Sequence, residues 1–315
     1  TGTLTEGRML VEKVWTCELD AEVTGSGYEP SGEIMIDGQP ADIAEGSPLA
    51  SLLTAAALCN DAVLVAPAEA GDEWELVGDP TEGALLALAA TGGFHAERMS
   101  REMPRTAEIP FDSTRKRMVT VHRIGDSEAS AFLATKGAIE VVLEAAEFVA
   151  TSEGDRPLTP TLEAEVLDKA AELATAGYRV LAIAGRVVYD GQLAHVLESE
   201  QDLVLYGLVA MADPPRAESR LAVEACRAAG IAPVMITGDH PDTGKAIGAR
   251  LGIADGDTEV MTGKRLSAEH AEGLADDVDR VAVYARTSPE QKLDIIQAWK
   301  ERGDIVSMTG DGVND

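Results

Sequence analysis

An α/β protein, with a doubly wound parallel sheet and a second region of α+β character, is the fold class the sequence predicts. Three observations carry this. From Leu203 onward, apolar strand-like runs alternate with helical runs, the pattern of a parallel sheet covered on both faces. Before that, helices and strand-like stretches follow one another without such alternation, which suits mostly antiparallel strands. The junction falls near "ADPPR" (212–216), whose two prolines suit a stiff hinge.

The elements follow in chain order. "SPLASLLTAAALCND" (47–61) and "DPTEGALLALAATGG" (79–93) read as helices. "RMVTVHRI" (117–124) and "ASAFLATK" (129–136) read as strands. "TPTLEAEVLDKAAELATAGY" (159–178) is a helix and "YRVLAIAGRVV" (178–188) a strand. The run "LVLYGLVAMA" (203–212) is about half of what a bilayer crossing needs. Its Leu203–Met211 portion is expected as a strand buried on both faces, the first of the alternating series. A helix over 215–230 closes on Gly230, followed by a strand over 231–236 and a helix over 242–252. A strand over 280–285 comes next. In "SPEQKLDIIQAWKERG" (288–303), Ser288 is expected as N-cap, Pro289 at the first helical position and Gly303 past the end. "DIVSM" (304–308) is expected to return as a strand.

Bulk properties narrow the function. The chain has 315 residues, 45% of them hydrophobic, enough for a substantial core and one large or two ordinary domains. A formal net charge of −29 argues against a polyanion-binding surface, so no nucleic-acid partner is expected. An acidic solvated surface and a halophilic origin both account for that charge. Cys17, Cys59 and Cys226 lie far apart without CxxC spacing, which suits a reducing compartment and no disulfide framework. The five histidines form no zinc-ligand pair with them. The first residue is Thr1 and the last residues are rich in site-like chemistry, so the chain is expected to be a piece of a longer protein.

Two loops follow directly on strands of the alternating region: "TGD" (237–239) and "TGDGVND" (309–315). Each puts a glycine and a carboxylate at a strand's carboxyl end, where ligands bind in such sheets. Glycine lets the backbone approach a phosphate, and carboxylates can hold Mg²⁺ beside it. Taken singly, each is equally an ordinary βα turn. Lys292, on the helix between them, reads by itself as a solvated lysine. "TGTLTEG" (1–7) has the same Gly/Thr character. "GDHPDTGKA" (238–246) is not a Walker loop: its spacing is one too long, and Ala246 replaces Ser or Thr.

With these residues in view, the chain resembles the P-type ATPases. "TGTLTEG", "TGD", "DPPR", "ARTSPEQK" (285–292) and "TGDGVND" are similar to their phosphorylation-domain motifs. "GDPTEGALL" (78–86), "PFDSTRKRM" (110–118) and "KGAIE" (136–140) resemble their nucleotide-binding domain. The ordered set covers nearly the whole chain, and the KGA and DPTE forms resemble the type II cation pumps, the calcium-pump group foremost. The resemblance implies a haloacid-dehalogenase-like phosphorylation domain over 1–8 and 213–315, with an inserted nucleotide-binding domain over 9–212. It implies a membrane-bound parent that pumps a cation, with this segment on its cytoplasmic side. Actuator and transmembrane domains of the same polypeptide are the implied partners, and ATP and Mg²⁺ the implied cofactors. A soluble phosphatase of the same superfamily with a large cap, or a non-catalytic nucleotide-binding module, are the alternatives.

The resemblance also assigns residues. An aspartate two positions before "TGT" would attack the γ-phosphate; it is expected upstream of Thr1, so the chain alone should not autophosphorylate. Asp311, with a carbonyl of Thr1, would hold Mg²⁺, and Asp315 and Asn314 would shape its surroundings. Thr3, Thr237 and Gly238 would bond phosphate oxygens, and Lys292 would offset growing charge. Asp239 would orient metal or nucleotide. Phe111 would stack on adenine, where the residue alone reads equally as core. Lys136, alone an edge-strand charge, would line the adenine pocket beside Gly137. Glu82, at the third position of its helix, would lie near the adenine or serve as a cap. Arg179 would reach the phosphates, and Arg216, near the hinge with Asp213, is also assigned to the nucleotide. Arg115, Lys116 and Arg117 would form a positive patch drawing the ATP tail.

Overall fold

The ten-residue run Leu203–Ala212 forms a strand in which every residue but Ala212 is buried, and the larger part of the protein is built around it. The computed structural model describes residues 2–69, 73–125, 130–189, 200–255, 258–268 and 278–310. The chain divides into one unit of Met9–Leu173 and Arg179–Ala212, and another of Thr1–Arg8, Ala174–Tyr178 and Asp213–Asp315.

The larger unit runs β1 (Leu10–Thr16), β2 (Leu19–Val23), β3 (Ile34–Ile36), β4 (Gln39–Pro40), α1 (Pro48–Leu58), β5 (Val63–Val65), β6 (Glu75–Val77), α2 (Pro80–Thr91), α3 (Ala96–Glu102), β7 (Arg105–Asp112), β8 (Arg117–Arg123), β9 (Ser130–Gly137), α4 (Ile139–Ala145), β10 (Ala146–Val149), β11 (Arg156–Pro157), α5 (Pro160–Thr175), β12 (Arg179–Tyr189) and β13 (Leu203–Ala212). Its main sheet has the order β4-β3-β2-β1-β13-β12-β9-β8-β7, with β10 and β11 attached at β13. β1 and β12 flank β13 antiparallel, and β10 pairs with it in parallel. The Leu203–Met211 strand thus belongs to the antiparallel sheet rather than opening the parallel one. Burial on both faces follows from helices packed on each side and does not by itself distinguish the two sheet types.

Side chains of β13 divide between two cores. Val204, Tyr206, Val209 and Met211 join Leu52 and Leu53 of α1 and Leu85 and Leu88 of α2. Leu203, Leu205 and Leu208 join Val142 and Leu143 of α4 and Val166 and Ala170 of α5. Strict alternation would put Tyr206 and Leu208 on one face. Gly207 takes the extra place: the β12 register skips Tyr206, with Ile183 opposite Gly207 and Ala184 opposite Leu205. A Cβ on Gly207 would stand 2.1 Å from the Trp15 carbonyl oxygen, so no other residue fits this bulge.

The smaller unit contains α6 (Ala217–Ala228), β14 (Met235–Ile236), α7 (Pro241–Leu251), β15 (Val260–Thr262), α8 (Gly263–Ala268), β16 (Val283–Ala285) and α9 (Pro289–Glu301). Its strands form a parallel sheet in the order β14-β16-β15. Val283 packs with Val223 of α6 and Leu251 of α7, whereas Tyr284 packs with Leu266 of α8 and Ile295 of α9. The sheet is therefore covered on both faces. Ser288 caps α9 in a full capping box with Gln291, and Pro289 opens it, as the sequence indicates.

The expected strand over 304–308 does not form: residues 304–310 are neither helix nor strand, and Ile305 is fully exposed. An apolar β-branched run specifies a strand only where a neighbouring strand pairs with it. For the same reason the expected strands over 231–236 and 280–285 shrink to Met235–Ile236 and Val283–Ala285. Strands β1–β7, β10, β11 and β15 and helices α3, α4 and α8 are not among the elements expected from the sequence. Cys17, Cys59 and Cys226 are free thiols, and burial pushes the Cys59 thiol above its ordinary range. Among the described residues, no helix is long and apolar enough to cross a membrane.

Gly207→Ala should lower the unfolding free energy by roughly 2–4 kcal/mol, since the backbone of two core strands must separate to admit the methyl group. Urea unfolding followed by far-ultraviolet dichroism measures this; a loss under about 0.5 kcal/mol would show that the bulge tolerates a side chain.

Candidate functional site

In the larger unit the candidate site begins at the start of α2. Asp79 is its N-cap, its carboxylate accepting from the Thr81 amide at 2.8 Å, and Pro80 follows at the first helical position. Partial burial works against ionisation of Asp79. Hydrogen bonds from Thr81, the Glu82 amide and the charge of Arg179 outweigh it and hold the carboxyl below its ordinary value. Glu82 lies at the third helical position, but its carboxylate reaches away from the cap. One oxygen accepts from Lys136 Nζ at 2.5 Å and the other from the Asp61 amide at 3.1 Å. Asn60 Nδ2 donates to the Glu82 carbonyl at 3.0 Å.

Lys136 is 7% exposed. Its strand, β9, lies between β12 and β8, which corrects the reading of Lys136 as an edge-strand charge. It pairs with Met118 and shares a face with Phe132 and Ala134, on the side covered by α1 and α2. Glu82 is its ion-pair partner there.

Phe111 reaches the same face through an irregularity. Ile109 pairs with Val119 and Asp112 with Arg117, so β7 carries one residue more than β8 between these pairs. That bulge places Pro110 and Phe111 both opposite Met118, which pairs across β8 with Lys136. Phe111 is 62% exposed, which corrects the reading of it as a core residue. An aromatic face left open beside a buried lysine–glutamate pair can receive a flat ring.

The turn after Phe111 is tightly specified. The Asp112 carboxylate accepts from the amides of Thr114 and Arg115, both at 2.9 Å, and these bonds lower its pKa. Lys116 is exposed and has a left-handed backbone, φ 52°. Its carbonyl accepts from the Ala138 amide at 2.9 Å. This close approach requires Gly137, where a Cβ would stand 2.7 Å from the Lys116 oxygen and from Arg117 Cβ. Arg115 and Arg117 converge on one oxygen of Glu200 at 2.6 and 2.7 Å. Two cations of the expected three-residue positive patch thus share one carboxylate, which sequence spacing could not bring to them, and the three together with Glu200 stay net positive. Arg179 is exposed at the start of β12.

Sequence reasoning missed Asn60, Asp61 and Arg105. Arg105 Nη1 bonds Asp61 Oδ1 at 2.6 Å and Glu108 Oε2 at 2.7 Å. Its Nη2 bonds the carbonyls of Asn60 at 2.5 Å and Leu58 at 3.3 Å. Nearby, His122 is buried with Nδ1 3.1 Å from the Met103 carbonyl and Nε2 2.9 Å from Thr120 Oγ1. Burial, assisted by the charge of Arg105, lowers its pKa to about 4.

In the smaller unit, "TGD" follows β14 directly. The Thr237 amide donates to the Tyr284 carbonyl at 2.8 Å. Thr237 Oγ1 donates to Asp239 Oδ2 at 2.8 Å and accepts from the Asp239 amide at 3.0 Å. The Arg286 amide donates to the Asp239 carbonyl at 3.1 Å, and Thr287 Oγ1 to the Thr237 carbonyl at 3.1 Å. The loops after β14 and β16 are thus stitched together at the carboxyl ends of neighbouring parallel strands. Among the described residues, a Cβ on Gly238 would meet no atom within 4 Å. Lys292, in the first turn of α9, is 9% exposed, which corrects the reading of it as a solvated lysine.

"DPPR" fastens the first residues to this unit. The Asp213 carboxylate accepts from Thr5 Oγ1 at 2.7 Å and from the amides of Gly7 and Arg8 at 2.8 and 3.2 Å. Arg216 donates to the Gly2 carbonyl from Nε and Nη2 at 3.1 and 3.0 Å. Leu4 packs with Met235 and Val283, which fixes the chain on either side of Thr3. Thr1, Asp311, Asn314 and Asp315 lie outside the described residues. Among the described residues, no group of three or more His, Cys, Asp or Glu side chains is gathered as for a metal ion.

The family model described as P-type ATPase, cytoplasmic domain N, matches residues 48–218. A probable cation-transporting ATPase F of Mycobacterium tuberculosis is 43% identical over the whole chain. A cation-transporting ATPase of Synechocystis is 40% identical and a calcium-transporting ATPase of Bacillus subtilis 38% identical, again over the whole chain. The chain spans about a third of the length of these relatives, 35% in each case.

Glu82→Leu should cost about 3–5 kcal/mol by leaving Lys136 buried without its partner, and the double variant Glu82→Leu/Lys136→Met should recover most of that loss. Urea unfolding of the three proteins decides it; a single variant as stable as wild type would mean that the pair is not desolvated.

A second measurement concerns His122. Its folded pKa of about 4 lies below the ordinary 6.5, so the unfolded chain takes up the proton first. Its contribution is fully present above pH 6.5 and is lost as pH falls towards 4. Between pH 7.5 and 4.5, wild type should lose roughly 2–3 kcal/mol more than His122→Gln. Parallel pH profiles for the two would show that His122 is not held neutral.

Proposed function

The chain belongs to the P-type ATPase family, and on that premise we propose that it is the ATP-handling part of an ATP-driven cation pump of the type II, calcium-pump-like class. The observation that carries the reading is the buried Lys136–Glu82 pair sharing a sheet face with the exposed ring of Phe111. Adenine stacks on Phe111, with Lys136 and Glu82 at its polar edge, and Gly137 keeps the strand end free of a side chain there. Lys116 and Arg179 attract the phosphates. A large phosphatase cap has no use for such a pocket.

The smaller unit, as the haloacid-dehalogenase-like phosphorylation domain, receives the γ-phosphoryl group. Thr3, Thr237 and Gly238 bond its oxygens, and Lys292 offsets charge developing on it. Asp239 orients the phosphate end. Arg216 serves the nucleotide through the carbonyl of Gly2, which it holds, rather than by direct contact. The oxygen-rich chemistry of Asp311, Asp315 and the Thr1 carbonyl suits Mg²⁺, with Asn314 beside it; the ion would neutralise phosphate charge. In the complete pump an aspartate preceding "TGT" accepts the phosphoryl group, giving an aspartyl-phosphate that powers transport across the membrane. The 315-residue chain alone binds ATP without turning it over.

Calorimetric titration of the chain with ATP should show weak binding with no release of inorganic phosphate. Phe111→Ala should weaken it roughly five- to thirtyfold, the loss of one base–aromatic stack. Because Phe111 is exposed, folding should be unaffected; unchanged ATP affinity in this variant would remove the pocket assignment.

A further inference from the structure

We infer that Arg105 is a positioning residue of the nucleotide site, acting on Glu82 through Asn60 and Asp61; this rests on the nucleotide reading above. Arg105 opens β7 and touches neither Glu82 nor Lys136 in any hydrogen bond described above. Its guanidinium instead grips the chain where α1 ends. The fork spans three positions of that short stretch: the Leu58 carbonyl, the Asn60 carbonyl and the Asp61 carboxylate, with Glu108 as a fourth partner.

The same stretch holds Glu82 at two points. Asn60 Nδ2 bonds its carbonyl at 3.0 Å, and the Asp61 amide bonds Oε2 at 3.1 Å. The other carboxylate oxygen, Oε1, takes Lys136 Nζ at 2.5 Å. A continuous series of hydrogen bonds therefore runs from Arg105 to the lysine at the centre of the pocket. Asn60 is buried, and its Oδ1 accepts from the Ala62 amide at 3.0 Å, so the turn has a single arrangement to transmit. Glu82 keeps its second ligand only while the Asp61 amide stays in place, and Lys136 follows Glu82. A planar fork with several fixed donors can hold three groups at once, which a lysine ammonium cannot do with the same geometry.

A purely stabilising role and a positioning role give different readouts. Positioning acts on the adenine end, so it should alter recognition of ATP and leave binding of inorganic tripolyphosphate untouched. Both ligands are titrated calorimetrically into the full 315-residue chain as wild type, Arg105→Met and Arg105→Lys. The expected result is a roughly five- to twentyfold loss of ATP affinity in both variants, with tripolyphosphate binding unchanged. Should Arg105→Met fail to fold, Arg105→Lys carries the test alone, since it keeps the charge and loses the fork. ATP affinity within twofold of wild type, or equal weakening of both ligands, overturns the inference. If wild type itself binds no ATP, the nucleotide reading falls first and takes the inference with it.

Discussion

A strand covered on both faces sets the terms for the larger unit. β13 must contribute apolar side chains to two cores at once while pairing with β1, β10 and β12. Backbone bonds inside such a strand cannot be exchanged with water, so every group must find a protein partner. The bulge at Gly207 reconciles those demands: it lets Tyr206 and Leu208 serve opposite cores although they lie two residues apart. β12, and through it β9 with Lys136, takes its register from this strand.

The candidate nucleotide site depends on a similar local exception. A regular β7 would place residue 111 on the face of Ile109, away from Lys136. One extra residue between the pairs Ile109–Val119 and Asp112–Arg117 brings the ring to the lysine's side. The aromatic can then remain exposed, because the helices α1 and α2 that fill this face pack further along the sheet. Around it, carboxylates partner the cations: Glu82 takes Lys136, and Glu200 alone takes both Arg115 and Arg117, which leaves that turn net positive. In a chain of net charge −29, such local pairing decides where positive potential survives, here at Lys116 and Arg179.

In the smaller unit the deciding constraint is backbone stitching. Two short parallel strands end side by side, and the Thr237, Asp239, Arg286 and Thr287 backbone groups bind the loops to each other. Short strands suffice because helices on both faces provide the burial. Asp213 and Arg216 then hold residues 2–8 through main-chain groups and the Thr5 hydroxyl, so a segment distant in sequence joins the same core.

The longer helices were legible from the sequence because their signals are local, whereas the short α3, α4 and α8 were not. Ser288 with Pro289, and Asp79 with Pro80, mark helix starts through hydrogen bonds made within four residues. Apolar runs such as Arg117–Arg123 and Ser130–Gly137 likewise declared themselves as strands. The motif residues could be named from their order along the chain, and two of them, Lys136 and Glu82, form an ion pair. What tertiary structure alone decided was pairing and burial. Leu203–Ala212 joined the antiparallel sheet and 304–308 joined none, because strand identity depends on a partner remote in sequence. Arg105, Asn60, Asp61 and Glu200 entered the site for the same reason: the hydrogen bonds that tie them into it reach 21 to 85 residues away, beyond any periodicity a linear reading can detect.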